Sequence, residues 1–189
     1  MNKPLASLAP ASAAKARFTK AEFLTMAATG AFDDMKIELV DGELERMNPP
    51  MSEHGFHQAA VSYALQRVME DEHELRVAVE VGIEVTDDSV FACDIAVVRG
   101  RPSTNRLLQP DELVLVVEIS HTSLDRDMSQ KRIAYAVSAI PHYWVVDGER
   151  RVVHVFGDPV RGDYAEVSTV RFGAPLAVPG TDRTIVLES

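Results

Sequence analysis

Two acids stand where packing favours apolar side chains: Asp94 interrupts VFACDIAVV and Glu118 interrupts LVLVVEIS. An unpaired carboxylate in such a run costs several kcal/mol, so each requires a cation, a hydrogen-bond network or a metal. Two strands that deliver one carboxylate each to a common edge build a hard-oxygen site suited to Mg²⁺ or Mn²⁺, ions that take few protein carboxylates and keep several waters. Lys131 follows Glu118 by 13 positions. If its helix packs back over the sheet, the ammonium reaches the carboxylate edge. There it can stabilise charge on a pentavalent phosphorus centre or orient an attacking water, while the metal lowers that water's pKa. The trio points to phosphodiester hydrolysis, although the same residue types also arise as structural ion pairs.

Capping, periodicity and turn chemistry indicate the elements that must position these residues. Thr19 with Glu22 predicts the capping box of a short helix that Gly30 ends. IELVDGELERM predicts a hairpin about Asp41-Gly42, a pair suited to a type I′ turn. From His54 to about Glu70, the residues Phe56, Ala60, Val61, Ala64, Leu65, Val68 and Met69 recur at three- and four-residue spacing and predict one buried helical face. Arg76 to Thr86 alternates as a strand, with Val77, Val79, Val81, Ile83 and Val85 on one side. Val90 to Val98 and Leu113 to Ile119 are nearly continuous apolar runs, as in strands covered on both faces. A helix from about Leu124 to Ala139 stops before Pro141. His142 to Val146 and Val152 to Phe156 predict a second hairpin turning at Asp147-Gly148, and a last strand is expected at Thr184 to Leu187. The order gives an α/β (α+β) fold, a mixed central β-sheet flanked by helices with additional hairpins. Residues 1–17, rich in Ala, Ser and Pro, read as a flexible N-terminal arm, and residues 18–189 as a single domain.

The 189 residues include 19 Lys plus Arg and 29 Asp plus Glu, a net charge of −10. That balance argues against a protein that coats nucleic acid by bulk charge, so a polyanion must be met locally. Arg99, Arg101 and Arg106 follow the Asp94 strand without an intervening acid, and Arg126, Lys131 and Arg132 cluster on the helix after the Glu118 strand. If both groups flank the carboxylate edge they form a positive rim for phosphates; otherwise they only solubilise the surface. Lone Cys93 cannot form an internal disulfide, which makes a reducing cytoplasm the simplest compartment, and its apolar setting argues against a nucleophilic role. No apolar run approaches the roughly 18 residues that span a bilayer. Trp144 and Tyr143 read as core packing rather than a base-stacking platform.

In order from about Phe18 to Phe156, the strings IELVDGEL, PPMSEHG, CDIAVV and LVVEISHTSLDRDMSQKRIAYAVSAIPHYWVVD resemble the bacterial Uma family of putative restriction endonucleases, a branch of the PD-(D/E)xK nuclease superfamily. The resemblance implies a restriction-endonuclease-like core with a metal at the ends of two neighbouring strands, DNA as substrate and a homodimer that cuts both strands. It implies that Asp94 is the aspartate of the Pro-Asp motif and Glu118 the acid of the following core strand. Where the wider superfamily has a lysine two residues after that acid, this chain has Ser120, and Lys131 matches a lysine moved to the next helix. Glu38 fits an additional acid from an early element, His54 a histidine at the start of the second helix, and Asp127 an acid one turn before Lys131. Cys93 stands in place of the expected proline, and His121 and Gln130 also depart from the pattern. None of these departures touches Asp94, Glu118 or Lys131.

The expectation is therefore an endodeoxyribonuclease that uses Mg²⁺ or Mn²⁺. Asp94 and Glu118 bind the metal, Lys131 acts on the transition-state charge or the water, Glu38 supports the site, and His54, Arg99, Arg101 and Arg126 contact substrate. Plainer readings stand beside these roles. Lys131 suits a surface pair with Asp127 at i,i+4, Glu38 an ordinary strand acid, and His54 an exposed helix-terminal ring. Two other function classes also fit: a catalytically idle nuclease-fold module for nucleic-acid binding or protein assembly, and a metal hydrolase for smaller phosphodiesters. RNA as the polymer is not distinguished from DNA.

Overall fold

In the computed structural model, which describes residues 15–188, the capping box at Thr19 is formed and opens α1 (Lys20–Ala28). Of the expected arm, residues 1–14 lie outside the described residues, whereas Arg17 donates to the main-chain oxygen of Asp41 at 2.6 Å. The Asp41-Gly42 hairpin joins β1 (Ile37–Val40) to β2 (Glu43–Arg46), with φ of 49° and 79° at its two turn residues. Both values are positive, as a type I′ turn requires.

Next come α2 (Ser52–Met69), β3 (Leu75–Thr86), β4 (Ser89–Arg99) and β5 (Leu113–Ser120). The helix expected from Leu124 is continuous but composite. It consists of α3 (Leu124–Arg126), a π-helical segment (Asp127–Lys131) and α4 (Arg132–Val137). After it run β6 (His142–Asp147), β7 (Val152–Val160), β8 (Asp163–Arg171), β9 (Leu176–Ala177) and β10 (Thr184–Ile185). Among the described residues one eight-stranded sheet has the order β2-β1-β4-β5-β6-β7-β8, with β3 also on β4, and β9 pairs β10 separately. The pairing is antiparallel except between β5 and β6, which the composite helix joins as a crossover. One core lies between the sheet and α2, through Val61, Leu65 and Val68; a second lies under α4, around Tyr135 and Tyr143; and a smaller third joins Phe23, Leu39 and Val90.

Two features of the sheet position the acids. The edge of β4 that faces β5 pairs with it only at Ile95 to Val98, and the same edge meets β1 only at Val90. Between these contacts the sheet forks. In addition, the alternation of side chains changes phase at the fork: Phe91 and Cys93 pack in the α4 core, whereas Ile95 and Val97 pack in the α2 core. Opposite, β3 changes in the same place, because Leu75 and Val77 join the α2 core while Val81, Ile83 and Val85 join the other. Glu80 marks the change with a φ of +53° inside a strand, a conformation that costs an L-residue on the order of 1–3 kcal/mol.

Several expectations are corrected. The residues Val77 to Val85 do not share one side, for the reason just given, and Val79 is exposed. Phe56 is 70% exposed and Ala60 is exposed; the buried stripe of α2 is Val61, Leu65, Val68 and Met69, in line with His54 and Gln58, because at about 100° per residue Phe56 lies roughly 140° around the helix from Val61 and points away from the sheet. Asp147 remains in β6 opposite Val152, and the turn spans residues 148–151, with Asp147 accepting the Arg150 N–H at 2.9 Å. The β7–β8 hairpin, turning at Arg161-Gly162 with φ of 55° and 85°, has no counterpart in the sequence reading, and the last strand is two residues long.

Candidate active site

Asp94 occupies the fork between β4 and β5. Its Oδ2 accepts the Ile119 N–H at 2.7 Å and lies 3.1 Å from His54 Nε2, which reaches it from the first turn of α2. Glu118 is approached from the opposite side of the sheet, where its Oε1 accepts from Lys131 Nζ and from the Tyr135 hydroxyl, each at 2.8 Å. Each acid thus has one oxygen held by two donors. Among the described residues, Asp94 Oδ1 and Glu118 Oε2 take no hydrogen bond. Neither is among the buried atoms left without a partner, so each keeps a trace of accessible surface.

The helix that supplies the donors has its irregular turn where they sit. Asp127, Lys131 and Tyr135, each four residues apart, are all buried. In a regular α-helix each step of four drifts by about 40° around the axis, since 3.6 residues complete a turn. The wider π turn sets the first step back and keeps the three side chains in one column. Asp127 accepts from Ser120 Oγ and from Ser123 Oγ, the latter at 2.6 Å, which ties the column to the end of β5. Ser120 therefore anchors the helix that carries the lysine.

Glu38 completes the buried network. Its Oε1 accepts the Ala92 N–H at 2.8 Å and lies 3.4 Å from Lys131 Nζ, while its Oε2 pairs with Arg126. Both oxygens are engaged, so Glu38 holds the lysine and the unpaired edge of β4 and has no oxygen free for an ion. Lys131 also donates to Ala92 O at 3.3 Å and is 3% exposed, which removes the surface-pair reading.

Burial alone would discharge Lys131, but Glu118 and Glu38 outweigh it and raise its pKa, keeping the ammonium charged. Burial pushes the Glu118 carboxyl well up, against the pull of Lys131, with Asp94 and Asp127 adding repulsion. The hydrogen bond to Asp94 raises the His54 imidazole against its own burial. Burial, with the Glu118 charge behind it, raises the Cys93 thiol well above its ordinary value, which leaves it unreactive.

Four acidic side chains (Glu38, Asp94, Glu118, Asp127) thus gather around Arg126 and Lys131. The two free hard oxygens suit a divalent cation, whose charge would offset the burial and mutual repulsion that raise the Glu118 and Asp127 carboxyls. No cluster of three or more metal-ligating side chains occurs among the described residues. Two carboxylates suffice for an ion such as Mg²⁺, which keeps waters and takes phosphate oxygens for the rest.

A cleft of about 350 Å³ opens over the fork. Asp94, His54, Glu38, Ile119 and Arg126 line it, together with Lys36, Arg46 and Glu80; Glu118 and Lys131 are buried and do not line it. Of the expected substrate contacts, His54 and Arg126 are on the cleft, although Arg126 is committed to Glu38 and Glu45. Arg99 and Arg101 are not. They lie at and beyond the far end of β4, with Arg99 five residues or about 16 Å of strand from Asp94. Arg106 is paired with Glu112. The expected rim is therefore not formed: of its helix-borne half only Arg126 lines the cleft, while Lys131 is buried and Arg132 pairs with Asp163 at 3.1 Å. Tyr135, Glu80 and Arg46 were not singled out from the sequence; only Tyr135 had a signal, its spacing of four from Lys131.

The family model Uma2, putative restriction endonuclease, matches residues 21–186 of this chain. A putative nuclease of the DUF820 group from Anabaena variabilis has a similar fold, with a TM-score of 0.70 and 17% identity over 86% of this chain and 89% of that one. The type IIG restriction endonuclease BpuSI matches at a TM-score of 0.39 and 16% identity, over 60% of this chain and 12% of its own. No curated protein matches.

Proposed function

Because the chain belongs to the Uma2 family of putative restriction endonucleases, we propose that it hydrolyses DNA phosphodiester bonds with Mg²⁺ or Mn²⁺ held by Asp94 and Glu118. The observation that carries this reading is the matched state of the two acids on neighbouring strands, each with one oxygen pinned by two donors and the other without a hydrogen bond. When bound, the ion supplies a water of lowered pKa and offsets charge at phosphorus. His54 and the Ile119 N–H hold Asp94 in place, as outer partners of metal-binding carboxylates do. Lys131, kept charged by Glu118 and Glu38, provides fixed positive charge in a low-dielectric setting for the developing phosphoryl charge. His54 and Arg46 face the cleft, where they can meet phosphate oxygens. A homodimer supplies the two sites that a double-strand cut requires.

The test is incubation of the purified protein with supercoiled plasmid, single-stranded DNA and RNA, with Mg²⁺ or Mn²⁺, over a wide salt range. Cleavage abolished by chelation and by Asp94→Ala is expected, and preference among the polymers identifies the substrate. If every polymer remains intact and Asp94→Ala behaves identically, the proposal fails.

One observation favours the idle module instead: Glu118 is 3% exposed and does not line the cleft, and its lysine is saturated by two acids. Calorimetric titration separates the readings, since an idle module shows no Mn²⁺ binding that Asp94→Ala or Glu118→Ala removes.

A further inference from the structure

Asp94 reaches the fork only because the strand it stands on changes phase there. In the first half of β4, Phe91 and Cys93 face the α4 core, which would turn residue 94 toward α2; in the second half, Ile95 and Val97 face the α2 core, which would turn it the other way. At the switch the side chain belongs to neither face. It lies along the sheet, where its carboxylate takes a main-chain N–H of β5. Across the β3–β4 ladder the pairs Val79↔Ile95 and Val81↔Cys93 are made, and Glu80 stands opposite Asp94 with a φ of +53°. Such a conformation in a side-chain-bearing residue persists only when its surroundings hold it.

Those surroundings are specific. One Glu80 oxygen pairs with Lys36, and the other accepts from Gln58 Nε2 at 2.9 Å. The same Gln58 nitrogen donates to the main-chain oxygen of Asp94 at 3.1 Å. Gln58 is one turn beyond His54 on α2, so this helix holds Asp94 twice, by its carboxylate and by its carbonyl.

We propose that Glu80 and Gln58 are positioning residues for the ion site: the left-handed turn at Glu80, clamped by Gln58, keeps the β3–β4 pair out of phase and thereby presents the Asp94 carboxylate to the fork. This rests on the metal-site reading for its consequence in ion affinity, but the presentation of Asp94 can be measured without any metal. Loss of an outer partner of a metal ligand typically lowers affinity about 10- to 100-fold.

The experiment uses the full chain with Q58L, E80V and E80G, and follows the amide exchange of Ile119 by NMR, Mn²⁺ affinity by calorimetry and thermal unfolding. Q58L removes the clamp at a half-buried position while keeping a side chain of similar size. E80V opposes the positive φ, and E80G permits it without the carboxylate. The expected result is faster Ile119 exchange and about 10- to 100-fold weaker Mn²⁺ binding in Q58L and E80V at unchanged Q58L melting temperature, with E80G closer to wild type than E80V. Wild-type Ile119 protection in a folded Q58L overturns the proposal, even if E80V does not fold. Faster Ile119 exchange in Q58L with no Mn²⁺ binding to the wild type supports the positioning role and sinks the metal reading alone.

Discussion

The Asp94 carboxylate substitutes for a strand. Extending the Ile95↔Val117 register by two residues would set Ile119 opposite Cys93, but the strands have parted there, and Asp94 Oδ2 accepts the Ile119 N–H at 2.7 Å. The acid is thus a structural cap as well as a candidate ligand. Asp94→Ala orphans that N–H and is expected to lower stability by about 1–3 kcal/mol in urea unfolding. Asp94→Asn retains an acceptor and should lose less stability while still losing Mn²⁺ affinity. Equal unfolding free energies for wild type and the alanine variant would contradict the capping role.

Lys131 is the shared cation of two buried acids, 2.8 Å from Glu118 and 3.4 Å from Glu38. Removing one partner of a buried ion pair typically costs about 3–5 kcal/mol, because the charge left behind has neither water nor counter-ion. Lys131→Met should therefore destabilise the protein by that order. Adding Glu118→Gln should recover part of it, giving a coupling of at least about 1 kcal/mol in a double-mutant cycle by chemical denaturation. Additive effects would show that the two groups are independent.

His54 links stability to pH with a definite sign. Its hydrogen bond to Asp94 raises the folded-state pKa above the ordinary 6.5, so the folded state binds the proton more tightly than the unfolded chain. The resulting stability is fully present below pH 6.5 and is lost as pH rises through the raised value. The stability gap between wild type and His54→Asn should narrow on the alkaline side of that window. A gap that widens with rising pH would reverse the sign.

Among the described residues Arg46 is on the cleft and makes no salt bridge, whereas Lys36 and Arg126 there are paired with acids. With a net charge of −10, DNA binding should be weak and salt-sensitive. Arg46→Ala should weaken binding uniformly across sequences and reduce the slope of log affinity against log salt by roughly 1. Arg99→Ala, remote from the cleft, should leave the slope unchanged. If fluorescence anisotropy shows the reverse, DNA runs along the far end of β4 instead.

Local chemistry made much of this fold legible. A capping box, a type I′ turn dipeptide and apolar runs bounded by turn residues each act within a few positions, so α1, the first hairpin and the strands carrying Asp94 and Glu118 could be read directly. The acids themselves stood out because burying a carboxylate is unfavourable without a partner, whatever the fold. Their partners were legible only in part. Lys131 followed from the pattern of its helix, but nothing local distinguished its buried position from a surface pairing with Asp127. Phe56 joined the pattern through steps of four, which drift by about 40° each, so it lies on the far side of the helix from Val61 and Leu65 and is exposed.

What the tertiary structure alone decided is the fork and everything that depends on it. The phase change at Glu80 and Asp94 has no signature in either strand's own alternation, because it arises from two strands turning over together between cores on opposite sides of the sheet. The clamp from Gln58 and the N–H from Ile119 come from segments 22 to 36 residues away from Glu80 and Asp94, at separations where sequence spacing carries no distance information. By itself the sequence determined which groups could do chemistry, since that depends on residue type and immediate neighbours. Which oxygen of each acid is held and which stays free depends on donors brought from other elements, and only packing could decide it.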